Sequence, residues 1–434
     1  MTPQSSLMIL APIDRRREAE LRALLASMND GPGRVKPRNA LIPFARYDAL
    51  HFARILILDD QTLGDGALYG LPPFDPPLCV VLIFEIDGEE DAFLAELVRG
   101  SEQGLRAIFA CCADFTPGAD LLAWMRAHLR PASAVYVNTL GRTIARIRED
   151  AALYDALEAY LDANAAAPAG RSAAAVHLAL RGFVEGEKAA GRLRLSPERP
   201  TPPDWELRNL VDLVLVPLLL LIFWFPLAVA AIVLLVRIRM LELSDPEYCP
   251  RPDPRHVELL TSLEDHDVTN QFSAMGTLKP GFTRRAVCLG ILFLLNYTQR
   301  QIYTRGRLAR VRTIHFARWT FVDDEHKRLL FTSNYDGSLD SYMDDFINKV
   351  AFGLNVVFSN GIGYPSARWL VLDGAKDEQP YKNYIRRHQL ATEVWYNGHQ
   401  GLGANDLQRN ELVRAGIETA SMTEEQAREW LSLL

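Results

Sequence analysis

Two apolar rhythms alternate along the chain. Runs with strand-like spacing stand at "SLMILAPI" (6–13), "HFARILILDD" (51–60), "CVVLIFEID" (79–87), "VTNQFSAMG" (268–276), "HFARWTFVDD" (315–324) and "LLFTSNYD" (329–336). Between them lie stretches whose apolar residues recur every three or four positions, the period of a helix packed on one side: "RRREAELRALLASM" (15–28), "EEDAFLAELVRG" (89–100) and "TRRAVCLGILFLLNYTQRQIY" (283–303). Two further apolar runs, "LRAIFACC" (105–112) and "LNVVFSN" (354–360), each open on Gly-Leu and read as strands.

These elements occur in the same order twice. "HFAR" is spelled at 51–54 and again at 315–318, each time opening an apolar run that ends in Asp-Asp. In both halves a later strand ends in Asp-Gly, at 87–88 and 336–337, and an acidic amphipathic stretch follows, as suits a helix N-terminus. Near the end of each half, "MRAHLRPASAVYVN" (125–138) matches "IRRHQLATEVWYN" (385–397). The order β-α-β-β-α-β, then an extra helix and strand, predicts an α+β fold of two duplicated ferredoxin-like modules. We expect the modules at 1–163 and 266–434, joined by an Ala/Pro-rich helical linker (164–208), an apolar segment (209–240) and an extended linker (241–265).

That arrangement resembles the dimeric α/β-barrel superfamily, in which two ferredoxin-like units press their sheets together. Its members include small monooxygenases, chlorite dismutases and dye-decolorising peroxidases, several of which hold haem. The segment "TIHFARWTFVDDEHKRLLFTSNYDGSLDSYMDDF" is also similar to uncharacterised bacterial proteins associated with haem-peroxidase genes. The resemblance implies an oxidoreductase with haem as its cofactor, or a protein that works beside a separately encoded peroxidase.

Residues 213–236, "LVLVPLLLLIFWFPLAVAAIVLLV", run for 24 positions without a charge. As one helix they extend about 36 Å, more than the roughly 30 Å hydrocarbon core of a bilayer. The lipid bilayer is thus an expected partner. A single crossing would put the duplicated halves on opposite sides, whereas modules that share a core must lie together. Pro226 falls near the middle of the run, where a bend can reverse the chain, and arginines flank both ends evenly. We therefore expect a hairpin, with both modules on the cytoplasmic face. The stretch 286–297 is too short to span and reads as the first helix of the second module.

Composition adds exclusions. With 434 residues, 49% apolar and 23% charged, the chain is a folded multi-domain protein. A net charge of −7 with dispersed basic residues does not suit a nucleic-acid binder. Five cysteines without regular spacing form neither a disulfide framework nor a zinc motif, and suit a reducing compartment.

Candidate chemistry concentrates in the second half. Thr332, Asn334 and Asp336 share one strand face where the first half is mostly apolar, and Asn355, Ser359 and Asn360 bring further polar groups; buried polar groups tend to line a wet pocket. Arg318 suits an anionic group or a peroxide oxygen, although its repetition as Arg54 also fits a structural role. Arg318 and Asn334 with Asp336 are the candidate catalytic residues; Thr332, Asn355, Ser359 and Asn360 are candidate pocket residues. In a regular strand His315 and Arg318 face opposite ways. His388, matched by His128, is the candidate haem ligand, while His256, His266, His326 and His399 read as loop or surface residues. Ser333 stands where the G-x-x-D-G motif of dye-decolorising peroxidases has its first glycine, so that motif is broken. No Walker, nucleophile-elbow or zincin motif and no metal-ligand cluster is present. Two functions follow: a membrane-anchored peroxidase-like or monooxygenase-like oxidoreductase acting on an apolar, lipid-derived substrate, or a non-catalytic membrane adaptor. Assembly into a homo-oligomer is left open.

Overall fold

A computed structural model describes residues 1–164, 172–399 and 401–434. The first residues of the expected 164–208 linker, 165–171, lie outside that range. The protein is mixed α/β, with two four-stranded antiparallel sheets.

The first half contributes β1 (Gln4–Pro12), α1 (Glu18–Ser27), β2 (Leu50–Ile57), β3 (Cys79–Asp87), α2 (Glu90–Phe109), α3 (Leu121–Ala127) and β4 (Ala134–Val137). α4 (Ile144–Ala163) closes the first half, and the linking region holds α5 (Ala173–Ala189), α6 (Pro203–Ile222), α7 (Trp224–Glu242) and α8 (Pro254–Leu263). The second half brings β5 (Thr269–Thr277), α9 (Phe282–Gln301), β6 (Ile314–Phe321), β7 (Arg328–Asp336) and α10 (Leu339–Phe358). A small ribbon, β8 (Ala367–Arg368) and β9 (Leu372–Asp373), precedes α11 (Glu378–His388), β10 (Thr392–Asn397), α12 (Ala404–Glu418) and α13 (Glu424–Leu431).

The strands pair in matching registers. β1 lies antiparallel to β3 with Gln4 opposite Asp87, and β5 antiparallel to β7 with Thr269 opposite Asp336. β2 pairs with β3 and β6 with β7, each through a bulge at the first residue of HFAR. The last strand of each half crosses over: β4 pairs with β6, and β10 with β2. The residues just before those crossing strands stay with their own half. Leu129 bridges Ile9 and Gln389 bridges Ala274. Backbone hydrogen bonds therefore tie the two sheets to each other through the segments that lead into β4 and β10.

Helices cover the outer faces. Alternate residues of β1–β3 pack against α1, α2 and α3 through Leu82, Phe84, Leu97 and Ile108, and those of β5–β7 against α9 and α10 through Phe272, Trp319, Phe331 and Leu354. Each such side chain, fully buried, stabilises the fold by roughly 1.5–3 kcal/mol. The inner faces meet one another, with Met8, Val81, Met275 and Leu330 in one shared cluster and Phe52, Phe316 and Trp395 in another.

Three expectations need correction. "LRAIFACC" and "LNVVFSN" are not strands: α2 and α10 run on to Phe109 and Phe358, each bent at one non-helical residue, Ser101 (φ −139°, ψ 22°) and Val350 (φ −141°, ψ 23°). A short apolar run after a glycine has no period long enough to separate buried helix from strand, and burial on the sheet decides for helix. The expected extended linker 241–265 contains α8, where Asp253 caps Arg255 N–H and Pro254 takes the first helical position. The apolar run breaks at Phe223 rather than at Pro226. Pro226 lacks an N–H and crowds the carbonyl four residues back, so the helix interrupts upstream of it and the proline sits in the first turn of α7.

α7 is long and apolar enough to span a membrane, with mean hydropathy 2.0 and only 6% of the segment buried. Both flanks of the apolar run rest on α9. Asp212 pairs with Arg300 at 3.2 Å and Asn209 accepts from Gln301 at 2.9 Å on one side, while Ile238 packs with Val287 on the other.

Candidate functional site

The two bulges reshape the interior. A regular strand would turn His315 away from Arg318, but the extra residue at His51 and at His315 lets the histidine join the inward side chains that follow it. His51 lies against Phe316 and His315 against Phe52, with ring centroids 5.4 and 5.5 Å apart. His315 and Arg318 are thus both buried between the sheets.

Each histidine meets the aspartate of the Asp-Gly turn. His51 Nε2 is 2.9 Å from Asp87 Oδ1, and His315 Nε2 is 2.6 Å from Asp336 Oδ1. The other carboxylate oxygens accept helix N-terminal amides, Ile144 N–H at 2.8 Å for Asp87 and Ala404 N–H at 2.6 Å for Asp336. Each pair therefore ties a sheet to α4 or α12, with a negative charge where the helix dipole favours one. Burial alone would raise the Asp336 pKa, but His315, the Ala404 amide and the Thr269 hydroxyl outweigh it and hold the group below the usual aspartate value.

Between the pairs sits His399. Its Nε2 is 2.9 Å from His51 Nδ1, and its ring lies 5.1 Å from that of His315. It is 3% exposed, not a surface residue. If His51 donates from Nε2 to Asp87, its Nδ1 accepts and His399 must donate from Nε2, which leaves His399 Nδ1 without a partner. All three rings line a cavity of ≈ 20 Å³, room for one water molecule. Burial, and the positive charge of His315 and His51 when they are protonated, push the His399 pKa well below the ordinary histidine value. The sequence carried no periodic signal for it, because it follows β10 in a turn and has no counterpart in the first half.

The HFAR arginines lock the halves to each other. Arg54 donates to the Phe272 carbonyl at 2.7 Å, to Ser273 Oγ at 3.1 Å, to the Ser333 carbonyl at 3.0 Å and to Asn334 Oδ1. Arg318 donates to the carbonyls of Ser6 and Arg130 and to Thr320 Oγ1. Their ends are thus occupied by the backbone of the opposite half. Glu85, the first-half counterpart of Asn334, is buried among them; desolvation raises its pKa against the pull of both guanidiniums.

The remaining candidates do not converge on one pocket. Thr332 lies opposite Arg318, and its hydroxyl has no partner. Asn355 stands on α10 and fixes the loop beyond it: its amide donates to the Val371 and Asp373 carbonyls at 3.1 and 2.9 Å, and its oxygen accepts from Tyr364 and the Ala375 N–H. Ser359 and Asn360 are buried in the turn after α10.

His388 ends α11 with Nδ1 bonded to the Tyr384 carbonyl at 2.8 Å, as His128 bonds to that of Trp124. Burial, aided by Arg387, holds its pKa below the ordinary value. The space it lines measures ≈ 30 Å³, against roughly 300–1,000 Å³ for small-molecule and cofactor pockets. These surroundings do not fit haem. Among the described residues no group of three or more His, Cys, Asp and Glu is arranged to hold a metal ion.

No protein-family model, curated protein or solved structure matches this chain.

Proposed function

We propose that the chain is a duplicated ferredoxin-like protein moored to a membrane by α6 and α7, and that it works as a non-catalytic adaptor at that surface. The duplication reading is supported by the matched registers of β1–β3 and β5–β7, the paired bulges and the identical bends of α2 and α10. The observation that carries the mooring is the apolar hairpin itself. Leu221, Trp224 and Phe225 at its tip are 63–70% exposed, while Asp212 and Ile238 on its two arms both rest on α9. Large apolar surface of this kind is stable in lipid and not in water. Arms that return to one helix support a reading with both halves on the same face, and the five free cysteines suit the cytoplasmic one.

The interior favours the adaptor over the oxidoreductase. Arg54 and Arg318 spend their donors on backbone carbonyls across the sheets, and the neighbourhood of His388 is too small for haem. A separately encoded peroxidase is the partner this reading proposes. The test is flotation of the full chain with phosphatidylcholine vesicles, together with an absorption spectrum after expression with ample haem. We expect flotation and no Soret band. A Soret band abolished by His388→Ala would overturn the adaptor reading, and full solubility without detergent or lipid would overturn the mooring.

A further inference from the structure

The two halves differ where their long helices bend. In the first half the chain after α1 folds back over the bend of α2. Tyr47 Oη reaches Ser101 Oγ at 2.5 Å, Ile42 and Phe44 are buried in the core, and Gly104 lies so close to Leu41 that a Cβ there would overlap the Leu41 backbone. In the second half the connection between α9 and β6, residues 302–313, is shorter than 28–49, and its Tyr303, Leu308 and Val311 line the space beside the bend without closing it. Gly353, the counterpart of Gly104, has no atom within 4 Å of an added Cβ. A cavity of ≈ 320 Å³ remains there, walled by Trp319, Phe331, Val350, Leu354 and Phe358.

We propose that this cavity binds one acyl chain of a bilayer lipid. Its walls are almost wholly apolar, and its size falls at the small end of ligand sites, enough for a single chain rather than a whole two-tailed lipid. Its mouth lies between α9 and α10 beside Leu294 and Phe352, which are 47% and 59% exposed. Ile291 borders both the cavity and the cluster that seats Ile238 of α7, so one wall of the cavity adjoins the base of the apolar hairpin. The occupant of this half takes the place that residues 41–47 fill in the other. The inference rests on the membrane reading for its source of lipid.

The test uses the full chain in nanodiscs of phosphatidylcholine brominated on its acyl chains, since bromine quenches tryptophan on contact. Trp224 at the hairpin tip reports the membrane, and Trp319 in the cavity wall, 5% exposed, reports the site. Comparing wild type with Trp224→Phe and Trp319→Phe isolates each contribution. Gly353→Leu fills the cavity at a helical position with open space, and circular dichroism and flotation check that it folds and binds vesicles. We expect both tryptophans to be quenched and the Trp319 share to vanish in Gly353→Leu. Quenching of Trp224 without Trp319, or a Trp319 share unchanged by Gly353→Leu, would overturn the lipid site alone. An unquenched Trp224 would overturn the membrane reading and this inference with it.

Discussion

His51 of the first half and His399 of the second face each other at 2.9 Å inside the protein, and the His399 ring, 5.1 Å from that of His315, lies between two Asp–His pairs that each pin a helix to a sheet. Neither residue is accessible, and His399 is held neutral by burial and by its histidine neighbours when they are charged.

The neutral state of His399 contributes to the pH response, in the same direction as that of buried His388. Its folded pKa lies below the unfolded one, so the unfolded chain binds the proton first as pH falls. Stability is therefore retained above the unfolded histidine value of about 6.5 and declines as pH drops from there towards the folded value. We expect melting temperatures to fall between pH 7 and pH 5, and His399→Phe to flatten that slope. The Asp336 pair acts lower. Its depressed pKa contributes stability above the unfolded aspartate value that is lost as pH falls through the folded one. Chemical denaturation across pH separates the two windows.

The crossing arginines predict a rescue. Arg54→Met removes the partners of several buried carbonyls and leaves Glu85 with one guanidinium, which should cost roughly 3–5 kcal/mol. Adding Glu85→Gln removes the stranded charge and should recover part of that loss. Urea denaturation of the single and double variants measures the coupling; additive costs would argue against the arrangement.

The asymmetry at the helix bends makes a second, opposite pair. Gly104→Ala should destabilise by roughly 1–3 kcal/mol, because its methyl group meets the Leu41 backbone. Gly353→Ala should stabilise by up to about 1 kcal/mol, since alanine is the better helix former and the space is open. Thermal melts of the two variants should move in opposite directions.

Asn355 holds its loop by four hydrogen bonds. Asn355→Ala should cost about 1–3 kcal/mol. Hydrogen exchange should quicken first at Ala375, whose amide loses its acceptor.

Much of this architecture was legible in the residues, and the exceptions have physical causes. The HFAR strands, the Asp-Gly turns and the apolar run declare themselves through period, turn chemistry and length. The continuation of α2 and α10 beyond their bends did not, because a largely apolar run of seven or eight residues fits a strand as well as a buried helix. His315 was turned inward by a bulge, and a one-residue insertion in a strand pairing has no signature in a single sequence. The crossing of β4 and β10 was hidden for a related reason: edge pairing depends on which partner lies nearby, and the alternation of "AVYV" or "TEVWYN" is the same for either sheet.

The proposal that both halves lie on one membrane face is tested most directly by labelling across a sealed bilayer. Arg199 and Glu247 flank the apolar run and are exposed. With Cys249→Ser as background, Arg199→Cys and Glu247→Cys variants in sealed vesicles of uniform orientation should react with a membrane-impermeant maleimide from the same side, or be protected together. Labelling of one position from outside and of the other only after the vesicles are opened would contradict the account.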